Sequence, residues 1–166
     1  MARWAAAIPT WTTGSGTADA TAITDGSHHS ISSGSSTQRG EIREIYLGGQ
    51  ATASAPMLFV FGRNTTVSTT LTGTRLAALD PSTANLTSMP TAFGTAGTSK
   101  PSRHTTSGCL LNLSFNGFGG IVRWYAGPDE VIGYYGTAAG SNELTLSCFT
   151  GSTSGLVGTN IVFEVV

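Results

Sequence analysis

The chain has 166 residues, a length that suits one domain with a sizeable core. With 8 basic and 9 acidic side chains its formal charge is −1 and its pI is near 6.2, which excludes the basic face that nucleic-acid binding needs. A 39% hydrophobic content excludes a disordered chain, and no apolar run approaches the roughly 20 residues of a membrane helix.

The N-terminal stretch Met1–Pro9 is too short an apolar run for a secretory leader and is interrupted by Pro9. Trp4, Ile8 and Trp11 precede the flexible run Thr13–Thr17 with no strand periodicity around them. Tryptophan is costly to leave in water and is enriched among interface hot spots. Residues 1–17 therefore read as an extended N-terminal arm, docked on a neighbouring subunit or folded back on its own core. Residues 18–166 read as a single domain.

Within that domain Ala18–Thr24 is a candidate strand and Asp25–Ser30 a turn that carries His28 and His29. Glu41–Leu47 is ambiguous: Ile42 and Ile45 have helical spacing, but Gly48-Gly49 would stop a helix at once. It is read as a strand with a bulge. Pro56–Phe61 is continuously apolar, the mark of a strand covered on both faces. One cover would be the core, and Met57, Phe59 and Phe61 become candidate subunit contacts. Asn64–Thr72 reads as a solvated strand. Residues 73–107 form a long loop rich in Gly, Pro, Ser and Thr, with one possible helical turn at Arg75–Leu79 ahead of Pro81.

From Gly108 to Phe149 the pattern is regular. Cys109, Leu111, Leu113 and Phe115 alternate with polar residues, as do Leu144, Leu146 and Cys148, and this period of two marks half-buried strands. Between them run Ile121–Tyr125 and Val131–Tyr135, separated by the turn residues Ala126–Glu130. Cys109 and Cys148 both fall on apolar faces and read as buried thiols ahead of a disulfide. Thr150–Gly158 is a loop, and Asn160–Val166 is a last strand expected in the interior of a sheet, since such an apolar edge would invite aggregation. Eight to ten strands with almost no helix predict an all-β fold, an antiparallel β-sandwich with jelly-roll-like topology.

No catalytic, cofactor or metal site emerges. His28, His29 and His104 lack zinc-ligand spacing, and no G-x-S-x-G nucleophile elbow occurs. Gly117–Gly120 opens no helix and so is no phosphate loop, and Asp129-Glu130 read as turn solvation. The acceptor patterns at Asn64, Asn85 and Asn112 arise by chance in a chain so rich in Ser and Thr. Trp124, Tyr125, Tyr134 and Tyr135 offer a stacking platform for sugars, set against a core or interface role for the half that must face inward. Only 10% of residues are charged, against about 25% in an ordinary domain, so the surface is inexpensive to desolvate and suits packing against other proteins.

Five stretches carry a family resemblance: Met1-Ala2-Arg3-Trp4, Glu41-Ile42-Arg43-Glu44-Ile45, Ala78-Leu79-Asp80-Pro81, Gly119–Trp124 and Val162-Phe163-Glu164-Val165. Together they resemble the head decoration, or cement, proteins of tailed bacteriophages. The resemblance implies a non-enzymatic β-sandwich module without cofactor, made in the host cytoplasm and carried on the virion. It would form a homotrimer on the major capsid protein, bind neither nucleic acid nor membrane, and stabilise the capsid surface. The competing reading is a receptor- or glycan-binding β-sandwich module of a phage fibre or a secreted protein.

Overall fold

The computed structural model describes residues 3–12, 14–15, 28–31, 39–64, 76–83, 109–135, 143–150 and 156–166. Among them there are eleven strands and no helix. The strands are β1 (Arg3–Thr12), β2 (Gly14–Ser15), β3 (His28–Ile31), β4 (Arg39–Gln50), β5 (Pro56–Asn64), β6 (Leu76–Ala78), β7 (Cys109–Asn116), β8 (Phe118–Tyr125), β9 (Ile132–Tyr135), β10 (Glu143–Thr150) and β11 (Leu156–Val165). The six-stranded sheet runs β6-β1-β11-β4-β8, with β9 following β8 along the same edge of β4. The five-stranded sheet runs β2-β10-β5-β7, with β3 also on β10. Every pairing is antiparallel except the two-residue match of β2 with β10. Among the described residues no helix is long and apolar enough to cross a membrane.

The ambiguity of Glu41–Leu47 resolves into a strand with a bulge. On β11, Val162 and Phe163 are consecutive, yet they face Glu44 and Ile42, so Arg43 is the extra residue on β4. One inserted residue reverses the alternation, which is why Ile42 and Ile45, three apart, are both buried on one face together with Leu47. The helical spacing in the sequence was the trace of this bulge.

The expected N-terminal arm is instead a strand. β1 lies inside the sheet, paired with β11 from Arg3 to Thr12 and with β6 at Trp4–Ala6, so Trp4, Ile8 and Trp11 belong to sheet backbone. Its signature was hidden because Ala5-Ala6-Ala7 interrupt any apolar–polar alternation and a register shift falls between Ile8 and Trp11. Deleting residues 2–12 is therefore expected to remove a strand bonded on both edges and to abolish the cooperative thermal transition seen by circular dichroism. A truncated chain with the parent's Tm would show that β1 is dispensable.

Other boundaries also move. Leu76–Ala78 is a short strand against β1 and not a helical turn, while Asp80–Thr83 closes a turn, Thr83 N donating to Asp80 O at 3.0 Å. Ser82 donates to Asp80 Oδ1 from its hydroxyl at 2.7 Å and its amide at 2.8 Å, bonds that lower the Asp80 pKa in that order. His28 and His29 lie in β3 opposite Ser147 and Leu146, not in a turn. Leu156–Gly158 already belong to β11, which sits between β1 and β4, the interior place expected of the last strand. The candidate strands Ala18–Thr24 and Thr65–Thr72, and residues 84–107 of the expected loop, lie outside the described residues.

One buried cluster draws on both sheets. Ile42, Ile45, Leu47, Tyr134, Val157, Ile161 and Phe163 come from the six-stranded sheet; Ile31, Met57, Phe59, Phe61, Leu144, Leu146 and Cys148 come from the other. Cys148 is a buried thiol and not half of a disulfide. β5 separates β10 from β7, so the backbones bearing Cys148 and Cys109 stand two strand spacings apart, about 10 Å, beyond the roughly 7 Å a disulfide spans. Tyr134 packs edge-on to Phe163, with ring centroids 6.4 Å apart, and covers Gly40, where a Cβ would strike its ring. Burial pushes the Tyr134 hydroxyl far above the ordinary tyrosine range.

The two sheets meet at the β7–β8 turn. Gly117 N donates to Ala55 O at 2.7 Å and Gly117 O accepts from Ala51 N at 3.0 Å, while Asn116 Oδ1 accepts from the amides of Phe118 and Ala55. A Cβ on Gly117 would collide with Met57, and one on Gly49 would strike the Gly117 backbone. The glycine run is thus a close-packed junction.

Candidate functional site: the outward face of the six-stranded sheet

Of the six expected contact residues, Met57, Phe59 and Phe61 are buried in the core. They share one face of β5 by the period of two, and that face is inward, so they are unavailable to a partner. Leu58 and Val60 take the other face and pack on each other. The stacking platform also dissolves. Tyr134 is buried, Trp124 is half-buried against the core, and only Tyr125 of the described side chains projects outward. β8 and β9 are not a hairpin. Both pair with β4, end to end, and Ala126–Val131 connects them through a turn in which Glu130 N donates to Gly127 O at 3.2 Å. Asp129 and Glu130 are exposed there.

Among the described residues no group of three His, Cys, Asp or Glu side chains could hold a metal ion. His104 and Asn85 lie outside the described residues, while Asn112 is exposed on β7.

The chain's polar chemistry instead gathers on the outward face of β4, β11 and β8, opposite the face that carries Ile42, Ile45 and Phe163. The bulge turns Arg43 outward. Its Nε and Nη2 donate to Glu164 Oε2 at 3.0 and 2.8 Å, and Nη2 also donates to Glu41 Oε2 at 2.8 Å. Arg39 stands 3.6 Å from the other Glu41 oxygen. The Glu164 side chain is only 5% exposed, so the bridge to Arg43 is a desolvated one. Further along, Arg123 lies 3.3 Å from Glu44 and places its guanidinium 5.1 Å from the centre of the Tyr46 ring. The Tyr46 hydroxyl is held above its ordinary pKa first by its hydrogen bond to Glu44, with Arg123 acting in the opposite sense. Three arginines and three glutamates thus neutralise each other in a chain of 8 basic and 9 acidic residues.

Sequence reasoning missed Glu164 and its partners, because no motif joins residue 43 to residue 164. The one available signal was the broken alternation at Arg43, since a bulge commonly re-aims a side chain.

The other end of the face is apolar and uncharged. Gly158, Gly48 and Ile121 are directly opposite one another on β11, β4 and β8, next to the row of Asn160, Tyr46 and Arg123. Two glycines side by side leave a notch of about 280 Å³ lined by Tyr46, Ile121 and Asn160 among others. Asn160 Oδ1 is buried without a hydrogen-bond partner among the described residues. Ile121 at the rim is 78% exposed, Phe118 59% and Leu156 42%. Internally paired charges at one end and exposed apolar side chains beside an uncharged notch at the other make this face the candidate functional surface.

No protein-family model matches the chain, and no curated protein matches it.

Proposed function

We propose that the chain is a non-enzymatic structural protein of a virion, a decoration or cement protein seated on the outside of a phage head against the major capsid protein. In this reading the two sheets pack as a β-sandwich with jelly-roll-like connections. Two features support that architecture: one core cluster draws on both sheets, and successive described strands repeatedly change sheet, at β4–β5, β7–β8 and β10–β11 among other places. The observation that carries the functional reading is the outward face of the six-stranded sheet, apolar at one end and neutralised pair by pair at the other. The apolar end of such a face loses little hydration free energy when covered, and each bound module adds binding energy only to the assembled shell.

The homotrimer that the resemblance implies is not carried into this proposal, because its expected contacts Met57, Phe59 and Phe61 lie in the core.

The reading is tested on virions purified from the source of the gene. Quantitative mass spectrometry should find this chain at a copy number commensurate with the major capsid protein, and particles lacking it should rupture at lower temperature. Purified particles without the chain would sink the proposal.

A further inference from the structure

The notch and the residue that fits it belong to one face. Opposite residues on neighbouring strands project to the same side, and Leu47 and Val122, one position along, pack into the core. The row of Gly158, Gly48 and Ile121 therefore points outward. At the end of β8 the register shifts between Ile121 and Phe118, where Gly119 takes φ +70°. This glycine bulge brings Phe118 opposite Gln50, so two apolar residues at odd spacing, Phe118 and Ile121, are both strongly exposed beside the notch. A projecting side chain and a recess of apolar character lie side by side, an arrangement complementary to itself under a two-fold rotation.

Charge selects the occupant. None of the described residues lining the notch is charged, and the arginines and glutamates along the same face are already paired with one another. A strongly charged partner finds no complement here. A second copy of the same neutral face brings no net repulsion and exposes no new unpaired charge to burial.

We propose that two copies of this chain associate through this face about a two-fold axis, Ile121 of each entering the Gly48–Gly158 notch of the other. In a virion the second copy would take the Gly48–Gly158 end of the face and leave the Glu41–Glu164 end, seven residues along β4, to the shell.

Sedimentation equilibrium of the full chain across a hundredfold concentration range tests it, with two variants alongside. The parent should approach twice 17.0 kDa at the higher concentrations. Gly48→Val fills the notch, and a Cβ at this position meets nothing within 4 Å, so the fold has room for it. Ile121→Asp replaces the projecting group with a charge at an exposed site that the core does not use. Each should raise the dissociation constant by about tenfold or more while far-ultraviolet circular dichroism is unchanged. A parent of 17.0 kDa throughout, a three-fold mass, or a dimer indifferent to both variants would overturn the proposal. Since the experiment contains no shell, its failure leaves the virion reading to be judged on purified particles.

Discussion

Phe59→Ala is expected to lower the stability of the fold by about 3–5 kcal/mol, the cost of removing a fully buried aromatic side chain from a packed core. Phe59 is wholly inaccessible in β5, an interior strand of its sheet, opposite Cys148 on β10 and Leu113 on β7. Its ring belongs to the cluster that joins the two sheets, so its loss leaves a void bordered on both sides by strands that cannot collapse freely. At about 2–4 °C per kcal/mol for a chain of this size, Tm should fall by roughly 6–20 °C. Urea unfolding at two protein concentrations gives the decisive reading. A core residue produces the same difference from the parent at both, whereas a subunit contact would produce a difference that depends on concentration. A loss below about 1 kcal/mol would show that Phe59 is not a core residue.

This residue also shows what was and was not legible in the sequence. The strand at Pro56–Phe61 was legible from its apolar run, but an unbroken run does not say which side is inward. Its two faces bury unequally: Met57, Phe59 and Phe61 enter the main core, and Leu58 and Val60 form a small cluster apart. Strands with a clean period of two, such as Leu144–Cys148, gave both their type and their inward face, and all three apolar residues are fully buried. β1 was illegible for another reason: Ala5-Ala6-Ala7 and the register shift between Ile8 and Trp11 leave little signal of either period. The outward face was the least legible part. A notch made by Gly48 and Gly158 exists only through register between strands more than a hundred residues apart, and local pattern contains no register between distant strands.

Arg43→Ala should cost about 3 kcal/mol, although nearly a quarter of the side chain is open to solvent. Arg43 is the extra residue of the β4 bulge, and its guanidinium lies between Glu41 and Glu164. Removing it takes away the guanidinium that donates twice to the Glu164 carboxylate, which is only 5% exposed. Arg123→Ala on the same face is the control: that side chain is 58% exposed and 3.3 Å from Glu44, and its loss should cost less than about 1 kcal/mol. A joint replacement, Arg43→Met with Glu164→Leu, separates the causes. If the penalty of Arg43→Ala comes from charge compensation lost at Glu164, removing both charges and keeping the volume should recover most of it. Urea midpoints for the single, control and joint variants measure this directly, and a joint variant less stable than Arg43→Ala would mean that the arginine acts by packing and not by charge. Recovery would also show that the bulge holds without the ion network, through backbone bonds such as that from Ala126 N to Arg43 O, 2.9 Å in the parent chain. The ion network would then be a feature of the surface and not of the fold.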